Sequence, residues 1–226
     1  MTNEDVWVVI PVFNEAQVIA DVVERVRPTF PNVVCVDDGS ADDSATRIAG
    51  THAHLVRHSL NLGQGAALQT GLSYALARPG AKYFVTFDAD GQHQVSDAER
   101  MVEVARNDET DVVLGSRFLE QAQHVPWLKR AVLRTAVALS PTARKLRLTD
   151  AHNGLRVFSR SVVERLHITM NGMAHASEIV AFLANNDVRV REVPVTILYT
   201  DYSKSKGQSL VNGVNILFDL SLRDRG

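Results

Sequence analysis

Apolar and polar positions alternate in blocks along the first half of the chain. Short β-branched runs at residues 6–12, 33–36, 55–56 and 83–87 are separated by longer segments, residues 16–26, 43–49 and 64–77, whose apolar positions recur at helical spacing. A further helix is expected to start near Val95, and a fifth strand to end just before Gly115. Strands alternating with helices in this way are the pattern of β-α-β units on a parallel sheet. The expected fold class is therefore α/β, with a mostly parallel central sheet. Such sheets carry their ligands beyond the carboxyl ends of the strands, so the residues directly after each run hold the functional information.

Those residues are polar. Pro11, Phe13, Asn14 and Glu15 belong to the first strand end, and Asp37, Asp38, Gly39 and Ser40 to the second. Asp88, Asp90, Gly91, Gln92 and His93 follow the fourth, and Gly115, Ser116 and Arg117 the fifth. Asp88 and Asp90 are one residue apart, so in an extended segment both side chains point the same way. Two carboxylates so placed repel each other unless a cation or a set of donors compensates. Magnesium takes one or two carboxylates together with phosphate oxygens, and manganese accepts the same oxygen ligands. Mg2+ or Mn2+ is thus the expected cofactor; the plain alternative is a solvated acidic turn before the helix near Val95. The acidic pair Asp37-Asp38 has two readings as well. One of its carboxylates accepts hydrogen bonds from a base or ribose beside a tight turn at Gly39, or the turn caps a helix through Ser40 or Asp43.

Beyond Arg117 the alternation breaks. Residues 125–148 read as helical and are basic and apolar together, with Trp127, Leu128, Val132 and Leu133 among Lys129, Arg130, Arg134 and Arg144. Such a segment suits an anionic membrane surface, or equally a core-facing helix pair with solvated arginines. A strand at residues 155–158, a helix at 176–184, a strand at 188–198 and a last helix at 210–222 complete the map.

Composition narrows the picture. With 226 residues and 45% hydrophobic content the chain is long enough for one sizeable core and short for two. The net charge of -2 gives no global field for nucleic acid. Cys35, the single cysteine, lies in an apolar run, which predicts a small buried thiol and a reducing, cytoplasmic setting. The acidic opening at residues 3–5 runs straight into a strand-like segment and predicts no leader. No stretch approaches the roughly 18 apolar residues of a membrane-spanning helix, so any membrane contact is expected to be peripheral.

The ordered motifs Val9-Ile10-Pro11-Val12-Phe13-Asn14-Glu15, Asp37-Asp38-Gly39-Ser40, Asn61-Leu62-Gly63-Gln64-Gly65, Asp88-Ala89-Asp90-Gly91-Gln92-His93 and Gly115-Ser116-Arg117 resemble the family 2 inverting glycosyltransferases. The likeness is to the branch of dolichyl-phosphate mannose synthases and polyprenyl-phosphate glycosyltransferases. The resemblance implies a single Rossmann-like glycosyltransferase A-type domain over residues 1–226. Residues 1–117 would form the nucleotide-sugar-binding half, and residues 118–226 the acceptor-side half with a basic C-terminal loop and helix. It implies that Pro11, Phe13, Glu15, Val36 and Asp38 surround the nucleoside, with Asp88 beside the nucleotide. Asp88, Asp90 and Gln92 would hold the metal and diphosphate. Phe13 stands where many relatives have tyrosine, keeping base stacking and losing a phenol hydrogen bond. His93 is expected behind these ligands or in packing.

The second half matches more loosely. Asp150-Ala151-His152-Asn153-Gly154-Leu155-Arg156 resembles the family's aspartate, glycine and arginine motif, with Leu155 in place of the usual aromatic. Glu178 occupies the position of a glutamate near sugar and acceptor, and Lys204 and Lys206 lie in a stretch similar to the basic loop that closes over phosphates. By this resemblance Asp90, Arg117 and Glu178 are the catalytic candidates, and Arg117, Arg156, Lys204 and Lys206 bind acceptor or donor phosphates. The implied activity is inverting transfer from a nucleotide-sugar donor to a polyprenyl phosphate at the cytoplasmic membrane face, as in cell wall polysaccharide synthesis, with no nucleic acid partner. Two alternatives stay open. Transfer to a saccharide hydroxyl would need a base, for which Glu178 and His175 are the candidates. A nucleotide-sugar-binding protein without turnover would keep the pocket alone. Taken singly, Arg156 also reads as a surface ion-pair partner and Glu178 as a solvated helix residue.

Overall fold

The computed structural model describes residues 3–119, 141–172 and 174–198. Its sheet is built from β1 (Val6–Val12), β2 (Asn32–Asp37), β3 (His54–Arg57), β4 (Tyr83–Thr86), β5 (Val112–Ser116), β6 (Arg156–Ser159) and β7 (Val190–Pro194). The strand order is β3-β2-β1-β4-β6-β5-β7. β6 runs antiparallel to β4 and β5, and the other neighbouring pairs run parallel. The carboxyl ends of the parallel strands and the amino end of β6 therefore share one edge of the sheet.

The described helices are α1 (Ile19–Val26), α2 (Ser44–Ala49), α3 (Gln64–Leu76), α4 (Val95–Asn107), α5 (Pro141–Lys145), α6 (Arg160–Val163) and α7 (His175–Asn185). They cover both faces, which is why β1 is buried along its whole length instead of alternating. Val6, Val8, Ile10 and Val12 point into one core with Ile19, Val22 and Val23 of α1 and Met101 and Val102 of α4. Trp7 and Val9 point into the other with Leu68 and Leu72 of α3 and Ile179 and Leu183 of α7. α1 shows how the pattern sets the packing: Ile19, Val22, Val23 and Val26 recur at the helical period and are the buried positions. Close packing of α3 on the sheet depends on Gly71, where a Cβ would run into the Val9 side chain.

Three expectations change. The strand expected at residues 188–198 stops at Pro194. Beyond it, Val195 N still donates to Ser116 O (2.9 Å), but Thr196 N turns to Asp97 Oδ2 (2.8 Å) and Leu198 N to Gln92 O (2.9 Å), so the chain leaves the ladder toward α4. Of the helical stretch expected at residues 125–148, the described part is helical only over Pro141–Lys145, and the chain reverses at Arg147 with φ 55°. The remainder of that stretch, the last helix, Lys204 and Lys206 lie outside the described residues. The short α6 has no counterpart among the expected elements, being a single turn directly after β6. Cys35 is buried as expected, and burial pushes its thiol far above the ordinary range.

Candidate active site

The turn after β4 carries the two acids. Phe87 N still donates to Val9 O (3.0 Å), which prolongs the ladder into the turn, and Gly91 adopts φ 74°, which lets the backbone fold back. Gln92 N then donates to Asp90 Oδ1 (3.0 Å). Asp88 Oδ2 lies 2.9 Å from Nε2 of His93, a buried ring set edge-on to Phe87. Gln64 Nε2, at the first turn of α3, lies 3.4 Å from Asp88 Oδ1. His93 thus stands behind Asp88 and fixes its direction.

The two acids differ in acidity. Burial pushes Asp88 up, but His93, Arg156 and His175 outweigh it and hold the group below the ordinary carboxylate range. Asp90 is pushed up to about 6 by burial, with the Asp88 charge and Glu15 adding to the rise against the Gln92 backbone hydrogen bond. A divalent ion between them would remove that repulsion, which is the observation that fits the pair to Mg2+ or Mn2+. Among the described residues no group of three or more His, Cys, Asp or Glu side chains forms a metal cage. The donor set suits a platform of two carboxylates with Gln92 alongside, left open for phosphate oxygens.

β6 brings the second half of the chain against this turn because its amino end lies at the same sheet edge. Gly154 packs so tightly on Asp88 that a Cβ there would collide with the carboxylate, and Thr86 Oγ1 donates to Gly154 O (2.6 Å). Arg156, the first residue of β6, is buried at 3% exposure, so it is not a surface ion-pair partner. Burial lowers its guanidinium to about 10, while Asp88 and Asp150 pull it back up. His152 is lowered to about 4 by burial, and His175 is lowered by burial and then by Arg156. Both imidazoles are therefore neutral near pH 7.

Arg117, directly after β5, is gripped by Asp150. Nε and Nη2 donate to the two carboxylate oxygens at 2.6 and 2.7 Å, and the Arg117 backbone N donates to Oδ2 at 3.2 Å. Burial would raise Asp150, but the Arg117 charge and hydrogen bonds hold it below the ordinary range. Asp150 itself is placed by Glu192 of β7, whose carboxylate accepts from the backbone N of Thr149 and Asp150 and from Thr149 Oγ1.

On the nucleoside side several of the expected residues are buried. The Val36 side chain is fully buried and packs near Gly71, so only its main chain can face a nucleoside. Pro11 is likewise buried inside β1, paired with Val36. Asp38 is 2% exposed and its carboxylate accepts from Leu62 N (2.9 Å) and Gly63 N (2.7 Å) and lies 2.7 Å from His58 Nδ1. Its hydrogen-bonding capacity goes to building the 58–63 loop, which packs on Gly39 so closely that a Cβ there would meet the Leu60 and Asn61 backbone. Phe13 is 44% exposed, as a stacking platform requires, and Glu15 is partly exposed beside α2, its backbone N donating to Ser44 Oγ (2.8 Å).

Glu178, expected near sugar and acceptor, meets a loop of its own chain. It lies in the first turn of α7, and its carboxylate accepts from Thr169 N, Thr169 Oγ1 and Met170 N at 2.5 to 3.1 Å. The loop it grips packs on α3, with Asn171 O accepting from Gly65 N (2.8 Å). A carboxylate so placed clamps the 169–170 loop. Glu192, Thr149 and His58 were not singled out by the sequence, because their importance comes from partners distant along the chain. The Glu192-Val193-Pro194 run at a strand was the one local cue.

Comparison with known proteins bears on the family and the fold. The family model described as glycosyl transferase family 2 matches residues 7–166. The chain is 27% identical to UDP-N-acetylglucosamine--dolichyl-phosphate N-acetylglucosaminyltransferase of Methanococcus voltae, over 100% of this chain and 98% of that protein. It is 28% identical to polyprenol monophosphomannose synthase of Mycolicibacterium smegmatis, over 92% of this chain and 82% of that protein. In fold it is similar to glucosyl-3-phosphoglycerate synthase from Mycobacterium tuberculosis, solved with Mn2+, uridine diphosphate and phosphoglyceric acid. That match has a TM-score of 0.67 at 17% identity and covers 96% of this chain and 78% of the other.

Proposed function

Because this chain belongs to glycosyl transferase family 2, we propose that it is an inverting glycosyltransferase that moves a sugar from a nucleotide-sugar donor to a polyprenyl phosphate at the cytoplasmic face of a membrane. The observation that carries this reading is the meeting of Asp88, one of the acid pair, with the strand that opens on buried Arg156, across the close contact at Gly154. An acidic platform for a cation and a buried guanidinium, side by side, suit a reaction between two phosphate-bearing substrates. The relatives named for dolichyl phosphate and polyprenol support the acceptor class. The chain of like fold that holds Mn2+ and uridine diphosphate supports a divalent ion with a nucleotide. No helix of the described residues is long and apolar enough to cross a membrane.

In the proposed reaction Asp88, Asp90 and Gln92 would hold a divalent ion, which would supply charge to offset that developing on the diphosphate leaving group. Phe13, the Val36 main chain and the loop organised by Asp38 shape the nucleoside side. An acceptor oxygen attacks the anomeric carbon opposite the diphosphate, and Arg117 and Arg156 orient the acceptor's phosphate. A phosphate is already ionised near neutral pH, so no general base is required. That agrees with a Glu178 carboxylate occupied by the backbone of Thr169 and Met170.

The test offers purified protein a panel of nucleotide sugars with Mn2+, together with either a short-chain polyprenyl phosphate or a soluble saccharide, and identifies products by mass spectrometry. Sugar on the polyprenyl phosphate is expected. Sugar on the saccharide alone would overturn the acceptor, and nucleotide binding without any transfer would overturn the activity.

A further inference from the structure

We infer that Glu192 is a positioning residue for acceptor binding, acting through the Thr149-Asp150 turn on Arg117. The inference rests on the reading above, in which Arg117 touches the acceptor phosphate. Glu192 lies on β7, opposite Leu114 of β5 in the ladder, two residues short of Ser116 and three short of Arg117. Its two oxygens collect the backbone N of Thr149 (3.0 and 2.8 Å), Thr149 Oγ1 (3.0 Å) and the backbone N of Asp150 (2.9 Å). Thr149 Oγ1 also lies 2.6 Å from Ser116 Oγ, which ties the turn to the end of β5. With its backbone fixed, the buried Asp150 presents both carboxylate oxygens to the planar fork of Arg117 in a bidentate pair.

Two features make this a matter of geometry as well as stability. A bidentate pair sets the plane of a guanidinium, so a shift of the Asp150 backbone rotates the donors that Arg117 turns toward substrate. Glu192 itself lies two ladder positions from the end of β5, partly buried, and touches the turn and not the loops that shape the nucleoside side. Losing it should therefore change how well the acceptor is held and leave nucleotide binding alone. Glutamine at this position keeps the shape but offers one acceptor oxygen to three donors, and its amide N–H groups face backbone N–H groups across the turn.

The experiment is a double-mutant cycle on full-length protein with Glu192→Gln, Arg117→Ala and the pair. It uses short-chain polyprenyl phosphate as acceptor probe and nucleoside diphosphate with Mn2+ as the binding probe. Glu192→Gln is expected to raise the acceptor KM by about tenfold with nucleotide affinity unchanged, and to add little once Arg117 is gone. Multiplicative losses in the double variant, or a matching loss of nucleotide affinity in Glu192→Gln, would overturn the inference. Thr149→Ser, which keeps the hydroxyl, is expected to behave as the parent, and a KM shift as large as that of Glu192→Gln would count against it. Should the parent protein transfer nothing to polyprenyl phosphate, the acceptor assignment fails on its own. The cycle is then read in thermal unfolding, where non-additive shifts support the Glu192 to Arg117 linkage and additive shifts overturn it.

Discussion

At the residue scale, the site is a set of charges kept in unlike states. The Asp90 carboxyl is pushed up to about 6 because it is buried and, after that, because its neighbour Asp88 is ionised. Asp90→Ala should therefore leave folding intact, since it removes repulsion, while turnover falls at least about a hundredfold through loss of the ion's several kcal/mol of charge stabilisation. Steady-state kinetics with and without chelator, beside a thermal melt, checks both halves. Full activity in chelator would contradict the metal role. His152 gives a stability signature. Its folded pKa, about 4, lies below the ordinary histidine value of 6.5, so the folded state binds fewer protons than the unfolded chain. The stability from keeping this ring neutral is complete above pH 6.5 and is lost as pH falls from 6.5 through about 4. Urea titrations across that window should show a decline that His152→Gln makes shallower; parallel curves would remove His152 as the cause.

At the element scale, turns are held by carboxylates reaching in from other elements. Glu178→Gln takes away an acceptor oxygen from the 169–170 loop and is expected to cost about 1 to 3 kcal/mol in urea unfolding. Measurable sugar transfer should remain; a folded but inactive Glu178→Gln would restore the glutamate as a base. The contact between the turn before β6 and the turn after β4 is equally direct. Gly154→Ala pushes a methyl into the Asp88 carboxylate, and turnover should drop by about a hundredfold, the loss that a misplacement of ~1 Å brings. Nucleotide titration with and without Mn2+ should show the metal-dependent part of the affinity weakened. Strand ends are written locally in the chain and these clamps are not. The runs ending at Val12, Asp37, Thr86 and Ser116 are β-branched and buried on both faces, so their place and their polar exits are visible in one dimension. The clamps are not visible, because Glu192 meets Thr149 from 43 residues away and Asp38 spends its oxygens on a loop 24 and 25 residues on. A polar residue beside a strand end looks the same whether it faces substrate or holds the loop that does.

At the scale of the whole molecule, one reversed strand decides what belongs together. A periodicity reading finds β6 but not its direction, since a short buried apolar run carries no sign of which way it pairs. In the structure, β6 against β4 and β5 places Gly154 against Asp88, although they lie 66 residues apart along the chain. The opposite edge is made of turns such as Pro79–Gly80, where Gly80 has φ 81° and nothing packs within 4 Å of where a Cβ would be. That edge is a natural handle. A flexible glycine-serine tether inserted after Gly80 should keep turnover within about twofold, whereas the same insert after Gly91 should abolish it. Fixed to a bead or a sensor chip through the Gly80 tether, every molecule would present its reactive edge outward to vesicles in solution, and equal losses from the two inserts would show that the edges are not separable.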